Sequence, residues 1–177
     1  MRNIVYYVAA SIDGFIAGPN DDVSGYVGEG DGVRKYLEDL GAFDTVIMGR
    51  RTYEFGYGYG LKPGDAAYKN MKHYIFSNTL KFERQDELVN VCKFDIQIVK
   101  DLKAQTGSDI YLCGGGVFAG WLLDHQQIDL LKLKLNPLLA GEGIRLFGSS
   151  VKAYKTELLQ TNQYEYGLQI MTYKILY

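Results

Sequence analysis

Three short segments of the sequence have the residue types that bind phosphate groups. They are Gly49-Arg50-Arg51-Thr52, Ser77-Asn78-Thr79 and Gly114-Gly115-Gly116-Val117-Phe118. Backbone amides left accessible by glycine, arginine guanidinium groups and small hydroxyl or amide side chains all donate hydrogen bonds to anionic oxygens. Each segment directly follows an apolar, strand-like run. Because ligands bind beyond the carboxyl ends of the strands in open α/β sheets, we expect the three segments to form one site.

The glycine segment is the most informative of the three. An apolar run ending at Cys113 passes through three glycines into a sequence with helical character. The first amides of a helix lack acceptors within it and lie at the positive end of its dipole, which favours an anion there. Gly114, Gly116 and Ala119 also fit the spacing G-x-G-x-x-A, but no acidic residue follows where dinucleotide-binding Rossmann domains carry one. A tight turn that binds no ligand is the alternative.

The other two segments indicate how a nucleotide would be recognised. Arg50 and Arg51 can pair with phosphate oxygens, and Thr52 can donate from the first turn of a helix. A solvated pair of surface arginines is the alternative. Ser77-Asn78-Thr79 can bind a ribose or its 2′-phosphate, whereas an acidic residue at this place would favour NAD. The sequence therefore favours NADPH as the cofactor.

The composition excludes several classes of partner. The 177 residues are 47% hydrophobic and carry a formal net charge of −2, so no basic excess is available for nucleic acid or for a membrane surface. No apolar run reaches the roughly 20 residues of a membrane-spanning helix. Cys92 and Cys113 have neither the spacing of a disulfide framework nor that of a metal site. We expect a cytoplasmic protein without a metal, whose partner is a small molecule.

The three segments need a sheet to position them, and the pattern of apolar runs predicts one. Strands are expected at Asn3–Ala10, Thr45–Met48, His73–Phe76, Leu88–Cys92, Asp109–Cys113, Ile128–Leu135, Ala153–Thr161 and Tyr164–Leu176, and helices at Val33–Leu40, Asp95–Gln105 and Val117–Asp124. The last two strands predict an antiparallel portion with a turn at Thr161-Asn162-Gln163. We predict one domain over residues 1–177 with an α/β fold: a mixed, mostly parallel sheet of about eight strands with helices on both faces.

Four other features have predicted roles. The segment Phe55–Gly60 is rich in tyrosine and glycine, which predicts a mobile loop whose tyrosines either contact a substrate or cover the core. His73 and His125 are isolated from any acid or base, so they are expected at the surface or at strand ends. Cys113 lies in an apolar strand and is expected to be a packed thiol.

These segments, in this order, resemble those of the dihydrofolate-reductase-like superfamily. The resemblance rests on the motifs Ser11-Ile12-Asp13-Gly14-Phe15-Ile16-Ala17, Ile47-Met48-Gly49-Arg50-Arg51-Thr52-Tyr53, Ile75-Phe76-Ser77-Asn78 and Cys113-Gly114-Gly115-Gly116-Val117-Phe118. Within the superfamily, the run from Leu122 to Phe147 resembles the RibD C-terminal reductase domain of bacterial riboflavin biosynthesis. The resemblance implies that NADPH binds at Met48–Tyr53, Ser77–Thr79 and Gly114–Phe118, that the reaction is hydride transfer, and that the protein is commonly a homodimer.

The activity that the resemblance implies is the reduction of a small heterocyclic or ribosyl-amino substrate, similar to that of 5-amino-6-(5-phosphoribosylamino)uracil reductase. Asp13 and Asp31 are the candidate catalytic acids. Asp13 would lie beside the nicotinamide, and Asp31 is the acid nearest the position where dihydrofolate reductase carries its carboxylate. A turn-forming aspartate and a helix N-cap are the respective alternatives. Dihydrofolate reduction and non-catalytic nucleotide binding are the alternative functions.

Overall fold

The chain forms one large sheet and one small sheet in a computed structural model that describes residues 1–177. The strands are β1 (Ile4–Ala10), β2 (Phe15–Ala17), β3 (Thr45–Gly49), β4 (Lys72–Phe76), β5 (Val89–Cys92), β6 (Ile110–Gly114), β7 (Leu130–Leu135), β8 (Ile144–Arg145), β9 (Lys155–Gln163) and β10 (Gln169–Leu176). The large sheet has eight strands in the order β5-β4-β3-β6-β1-β7-β10-β9, and β2 pairs with β8 separately.

Six neighbouring strands of the large sheet, from β5 to β7, run parallel to one another. β10 is antiparallel to both of its neighbours, β7 and β9. The predicted α/β fold, with a mostly parallel sheet and an antiparallel portion at the end of the chain, is therefore confirmed. Because the first six strands share one direction, their carboxyl ends meet at the same edge of the sheet.

Four helices cover both faces of the sheet, as predicted. They are α1 (Asp31–Leu40), α2 (Arg50–Phe55), α3 (Ile96–Ala104) and α4 (Gly116–Asp124). Alternate residues of a strand point to opposite faces, and β1 shows the consequence: Ile4 and Tyr6 pack with α3 and α4, whereas Val5 and Tyr7 pack with α1 and α2. Tyr6 and Tyr7 are both fully buried, so the core is divided between two apolar layers.

The end of the chain differs from the prediction in the position of one turn. Thr161, Asn162 and Gln163 belong to β9, where each pairs with a residue of β10, so the predicted turn is wrong. The chain reverses instead at a 3₁₀ turn over Glu165–Gly167, where Tyr166 and Gly167 both have positive φ. Polar residues are tolerated in β9 because it is an exposed edge strand, and this exposure made its sequence resemble a turn.

Two further predictions need correction. The segment Phe55–Gly60 continues α2 into a 3₁₀ helix over Gly56–Tyr59, and Tyr57 packs edge-on against the ring of Tyr53, so it is not an irregular loop. His73 is fully buried in β4, where Nε2 accepts a hydrogen bond from the backbone amide of Tyr68. Burial lowers the pKa of His73. No helix of the chain has the length and apolar character needed to cross a bilayer.

Candidate active site

A cavity of about 460 Å³ opens at the carboxyl edge of the parallel strands. Its walls come from the ends of β1, β3, β4 and β6 and from the turns that follow them. All residues of the three predicted phosphate-binding segments line it except Thr79: Gly49, Arg50, Arg51, Thr52, Ser77, Asn78, Gly114, Gly115, Gly116, Val117 and Phe118. The structure thus brings three segments that are far apart in sequence to one site.

The glycines at the centre of this site let the turns approach one another. A Cβ on Gly115 would lie 2.7 Å from the hydroxyl oxygen of Thr52, and Gly115 has a positive φ of 28°. A Cβ on Gly49 would lie 3.3 Å from the Cβ of Phe118. Gly114, with φ of 119°, has no neighbour closer than 3.7 Å. Gly115 and Gly49 are needed for packing between turns. A Cβ on Gly114 would make only ordinary contacts, with Tyr6 and Val8, so Gly114 is favoured there by its positive φ.

Gly116 has a different role from the one its place in the glycine run indicates. It is the first residue of α4, and a Cβ there would lie 2.1 Å from the carbonyl oxygen of Arg145. Gly120, one turn later, would clash in the same way with the carbonyl oxygen of Phe147. Because these two glycines have no side chain, the backbone of β8 and of the residues after it can pack directly against α4. The amides of the first turn of α4 have no acceptor within the helix, so they are available to an anion.

The two arginines lie at the mouth of the cavity and are paired with carboxylates of the chain. Arg50 contacts Glu54 at 2.7 Å and donates to the hydroxyl of Thr79 at 3.2 Å. Arg51 contacts Asp21 at 2.9 Å. Thr79 is therefore connected to the site through Arg50. Both ion pairs are solvent-exposed, so each contributes little to stability and leaves the guanidinium group free to exchange partners.

Asp13 is not among the residues that line the cavity. Its carboxylate accepts hydrogen bonds from the hydroxyl of Ser11 and from the backbone amides of Ala140 and Gly141. These bonds, the one from Ser11 first, lower the pKa of Asp13 to about 2. A carboxylate with this pKa is ionised at neutral pH and has no proton to donate. The contacts favour the turn-forming alternative, and a direct catalytic role stays a prediction.

Asp31 also lies outside the cavity lining. It is the first residue of α1, and its carboxylate accepts a hydrogen bond from the backbone amide of Glu165, whose own carboxylate accepts from the amide of Asp31. The N-cap of α1 is Gly30, which has no side chain to cap with, so the predicted capping role of Asp31 is wrong. The reciprocal bonds instead attach the start of α1 to the turn before β10.

Part of the cavity comes from residues to which the sequence analysis gave no role in binding. Ile16 and Ala17 of β2, Ile144 of β8, and Asp21 and Val23 of the following segment form its outer wall. The motif Ser11–Ala17 contains a signal for the first two, since an apolar pair after a turn indicates a short strand. Asp21 has no such signal, because its contact with Arg51 spans thirty residues of sequence.

A second, more open cavity adjoins the first and shares Asn78 and Phe94 with it. Its volume is about 690 Å³. Trp121 and Phe94 form one side, with their ring centroids 5.3 Å apart, and Trp121 packs on His125. Aromatic rings exposed at such a groove offer flat surfaces on which a base can stack. Together the two cavities form a continuous path along the carboxyl edge of the sheet.

The α1 face of the sheet brings tyrosine hydroxyls close to the first cavity. The hydroxyls of Tyr36 and Tyr111 lie 2.7 Å apart, and the hydroxyl of Tyr68 lies 3.5 Å from the sulfur of Cys113. Cys113 also lines the cavity. Burial raises the pKa of its thiol, so it is not a thiolate nucleophile at neutral pH.

The family model for the RibD C-terminal domain matches residues 2–170, which is nearly the whole chain. The chain belongs to the RibD C-terminal domain family. The curated relatives include two uncharacterised proteins of Bacillus subtilis strain 168. YwjB is 29% identical over 172 residues, covering 96% of each chain, and YyaP is 26% identical over 184 residues, covering 97% of this chain and 94% of YyaP.

Solved structures with the same fold include two from riboflavin biosynthesis by name. A protein of Shewanella sp. PV-4, assigned provisionally to that pathway, superposes with a TM-score of 0.83 at 23% identity and full coverage of both chains. The deaminase and 5-amino-6-(5-phosphoribosylamino)uracil reductase of Thermotoga maritima gives a TM-score of 0.73 at 14% identity. That match covers 99% of this chain and 57% of the larger protein. These likenesses confirm the predicted dihydrofolate-reductase-like fold.

Proposed function

We propose that the protein is an NADPH-dependent reductase of a small heterocyclic or ribosyl-amino substrate. The observation that carries the proposal is the meeting of three phosphate-binding segments, after β3, β4 and β6, on one cavity at the carboxyl edge of the sheet. No acidic residue follows β4, where one would favour NAD. Membership of the RibD C-terminal domain family supports the same activity.

The residues present fit a dinucleotide with a 2′-phosphate. Gly114 lines the cavity beside the first turn of α4, whose free amides can bind a pyrophosphate. Arg50, Ser77 and Asn78 lie together at the next strand ends, where a guanidinium group and neutral donors can bind a 2′-phosphate. The second cavity continues past Asn78 to the ring of Trp121, a surface suited to an adenine base.

When bound, NADPH supplies a hydride, which is the chemistry that the protein itself lacks. The apolar residues of the cavity do the rest of the work. Val8 and Ala9 at the end of β1 line it, together with Ile16, Ala17 and Ile144 of the small sheet. Walls of this kind exclude water and hold two reactants in one orientation, and both effects accelerate transfer between them.

The structure bears on the choice between the two candidate acceptors. Dihydrofolate reduction needs a carboxylate on the first helix that faces the substrate, but the Asp31 carboxylate is bound to the turn at Glu165. The only carboxylate among the residues lining the cavity is Asp21, which is paired with Arg51. We therefore propose a substrate similar to 5-amino-6-(5-phosphoribosylamino)uracil in preference to dihydrofolate.

Direct titration with NADPH and with NADH tests the cofactor assignment. Trp121 is the only tryptophan of the chain and lies in the second cavity, so its fluorescence should be quenched as a dinucleotide binds. We expect NADPH to bind at least tenfold more tightly than NADH. Absence of binding by either would overturn the proposal. NADPH binding without oxidation in the presence of either acceptor would favour a non-catalytic nucleotide-binding protein.

We also propose that the protein is a homodimer, assembled through β9. This nine-residue strand is at the edge of the sheet and pairs only with β10, so one row of its backbone groups has no strand partner. Leu158 and Leu159 are about half exposed on it. Unprotected edge strands of this length favour pairing with another chain. Light scattering should give twice the monomer mass for the wild type. The Leu159→Lys variant should have the mass of a monomer. A monomeric wild type would contradict the proposal.

A further inference from the structure

Lys134 is a buried lysine that has no partner of opposite charge. Its exposed fraction is 9%, and it lies in β7 on the α1 face of the sheet. Its Nζ is 5.2 Å from the ring centroid of Tyr36, forms no ion pair and donates no hydrogen bond within the chain. The side chain is therefore mostly buried, while Nζ itself stays accessible, since the only fully buried and unpartnered side-chain nitrogen or oxygen is Nδ1 of His73. A lysine with a buried stem and an accessible, unpaired ammonium group can donate to a ligand.

Lys132, two residues earlier on the same face, shows what a structural lysine looks like in this environment. Its Nζ contacts Asp39 at 2.6 Å and lies 4.6 Å from the ring centroid of Tyr7. Asp39 also forms an ion pair with Lys35, so its single negative charge is already shared by two ammonium groups. Both lysines lie over a tyrosine ring, but only Lys132 has a carboxylate. The two lysines lie on the same strand and the same face, so neither explains why only Lys132 is paired with a carboxylate.

Lys134 does not line the cavity itself, but it lies one strand away from a residue that does. In the parallel pairing of β7 with β1, Lys134 is the register partner of Ala9, and Ala9 lines the cavity. Paired residues of neighbouring strands lie about 5 Å apart and point to the same face. On that face, β6 contributes Cys113, which also lines the cavity. Lys134 is thus on the side of the cavity where an acceptor could reach the tyrosine hydroxyls.

We propose that Lys134 contacts the acceptor substrate and donates its proton during the reduction. This inference rests on the proposed function and names a catalytic residue for it. The acceptor it implies has a polar C=N or C=O group, because an unpaired ammonium group stabilises an electron-rich nitrogen or oxygen. The Nδ1 of His73, on the same face, also has no partner, but it is fully enclosed in the core. Lys134 is therefore the unpaired donor of this face that a ligand can reach.

The reaction balances with Lys134 as the proton source. The acceptor carbon gains a hydride from NADPH, and the π electron pair of the C=N or C=O bond moves to the nitrogen or oxygen. That atom takes a proton from the ammonium group of Lys134. The acceptor is reduced by two electrons, NADPH is oxidised to NADP⁺, and Lys134 regains its proton from water. Burial lowers the pKa of Lys134, which favours release of this proton.

The ionisable groups near Lys134 come from four elements. Tyr7 of β1, Tyr36 and Asp39 of α1, and Tyr111 of β6 lie on this face, together with Tyr164 before β10. Asp39 is paired with two other lysines, and burial raises the pKa of Tyr7, Tyr36 and Tyr111 further above the ordinary tyrosine value of about 10. Tyr7, Tyr36, Tyr111 and Asp39 therefore supply no compensating negative charge to Lys134 at neutral pH.

Lys134→Met and Lys132→Met form a matched pair for the test, because each removes one ammonium group from the same face of β7. We expect Lys134→Met to lower kcat for 5-amino-6-(5-phosphoribosylamino)uracil or dihydrofolate by on the order of 100-fold, and Lys134→Arg not to restore it. Both methionine variants should bind NADPH within about twofold of wild type in the Trp121 fluorescence titration. Lys132→Met should keep its kcat while losing stability.

A second readout does not depend on turnover. In protein labelled with ¹³C at the lysine Cε, the signal absent from Lys134→Met should titrate at lower pH than the other lysine signals. It should also shift when NADP⁺ and 5-aminouracil or folate are added. An ordinary titration with no shift, or unchanged kcat in Lys134→Met, would overturn the inference. If the wild type does not bind NADPH, the proposed function itself is overturned. Failure of the Lys134 inference and failure of the proposed function therefore give different results.

Discussion

The two edges of the parallel sheet use charged residues in opposite ways. At the amino edge, the buried guanidinium group of Arg2 pairs with Asp44 and donates to the carbonyl of Ser108. Lys103 contacts Asp129 at 2.7 Å, and Asp129 also accepts from the amide of Ile4. Each of these groups bonds to a partner in a different strand or loop. The charges at this edge hold the strands together.

At the carboxyl edge, the polar groups surround a cavity and are only partly satisfied. Arg50 and Arg51 form exposed ion pairs that a ligand can replace. The first amides of α4 have no helical acceptor, and Lys134 contacts the Tyr36 ring but has no ion-pair or hydrogen-bond partner. The comparison teaches that burial or charge alone does not mark a functional residue. Unused bonding capacity that a ligand can reach marks it, whereas the unpartnered Nδ1 of His73 is enclosed in the core.

Gly116→Ala should have the largest effect, because it disrupts packing at the carboxyl edge itself. The added Cβ would lie 2.1 Å from the carbonyl oxygen of Arg145, so the backbone must move. We expect a loss of about 3 kcal/mol in the free energy of unfolding. Urea denaturation measures it. Gly58→Ala is the control, since its Cβ would meet nothing within 4 Å, and an equal loss in both would contradict the explanation.

Arg2→Met should cost about 1–2 kcal/mol of stability without changing ligand binding. The substitution leaves Asp44 without its buried partner, but the Asp44 side chain is 48% exposed, so water recovers part of the cost. Denaturation and the Trp121 titration with NADPH measure the two effects. A variant as stable as wild type, or one that binds NADPH more weakly while folded, would break the distinction between the two edges.

Arg51→Ala should do the reverse and weaken NADPH binding by about 1–3 kcal/mol, if it donates charge-assisted bonds to a phosphate. Its stability should change by less than about 0.5 kcal/mol, because the pair with Asp21 is exposed. Arg84→Ala is a closely matched control, since Arg84 also pairs with an aspartate at 2.9 Å and lies away from the cavity. Equal affinities in the two variants would refute the assignment.

Asp13→Asn should have the smallest effect and one visible only in acid. Hydrogen bonds from Ser11, Ala140 and Gly141 lower the pKa of Asp13 to about 2 in the folded chain, against about 3.9 when unfolded. The ionised group therefore stabilises the fold above about pH 4, and this contribution is lost as the pH falls towards 2. Wild type should lose stability more steeply than Asp13→Asn in this range. If the free energy of unfolding falls equally with pH in the two proteins, the hydrogen bonds to Asp13 contribute nothing to stability.

The fold was largely predictable because its signals are local. Apolar runs such as the one ending at Cys113 showed the buried strands, and glycine, arginine and serine marked the turns after them. The turn before β10 was misplaced because β9 is an exposed edge strand whose polar residues resemble a turn. The short strands β2 and β8 were missed, since each is stable only through its pairing with the other.

The candidate site could be predicted only in part. The three segments predicted to bind phosphate meet at one cavity, with only Thr79 outside its lining. Asp31, however, is bound to Glu165, and the Asp13 carboxylate to the turn at Ala140 and Gly141. Both carboxylates have partners more than one hundred residues away in sequence. A carboxylate shows its availability for chemistry only after these partners are known.

The sequence by itself determined the family, the order of strands and helices, and the residues at the turns, because each depends on a pattern of neighbouring residues. Only the tertiary structure decided which polar groups are free to act. Lys132 and Lys134 have the same type, strand and face, and they differ in one contact across the sheet, with Asp39 of α1. That contact is made between residues 93 positions apart, and the three-dimensional packing of α1 on the sheet creates it.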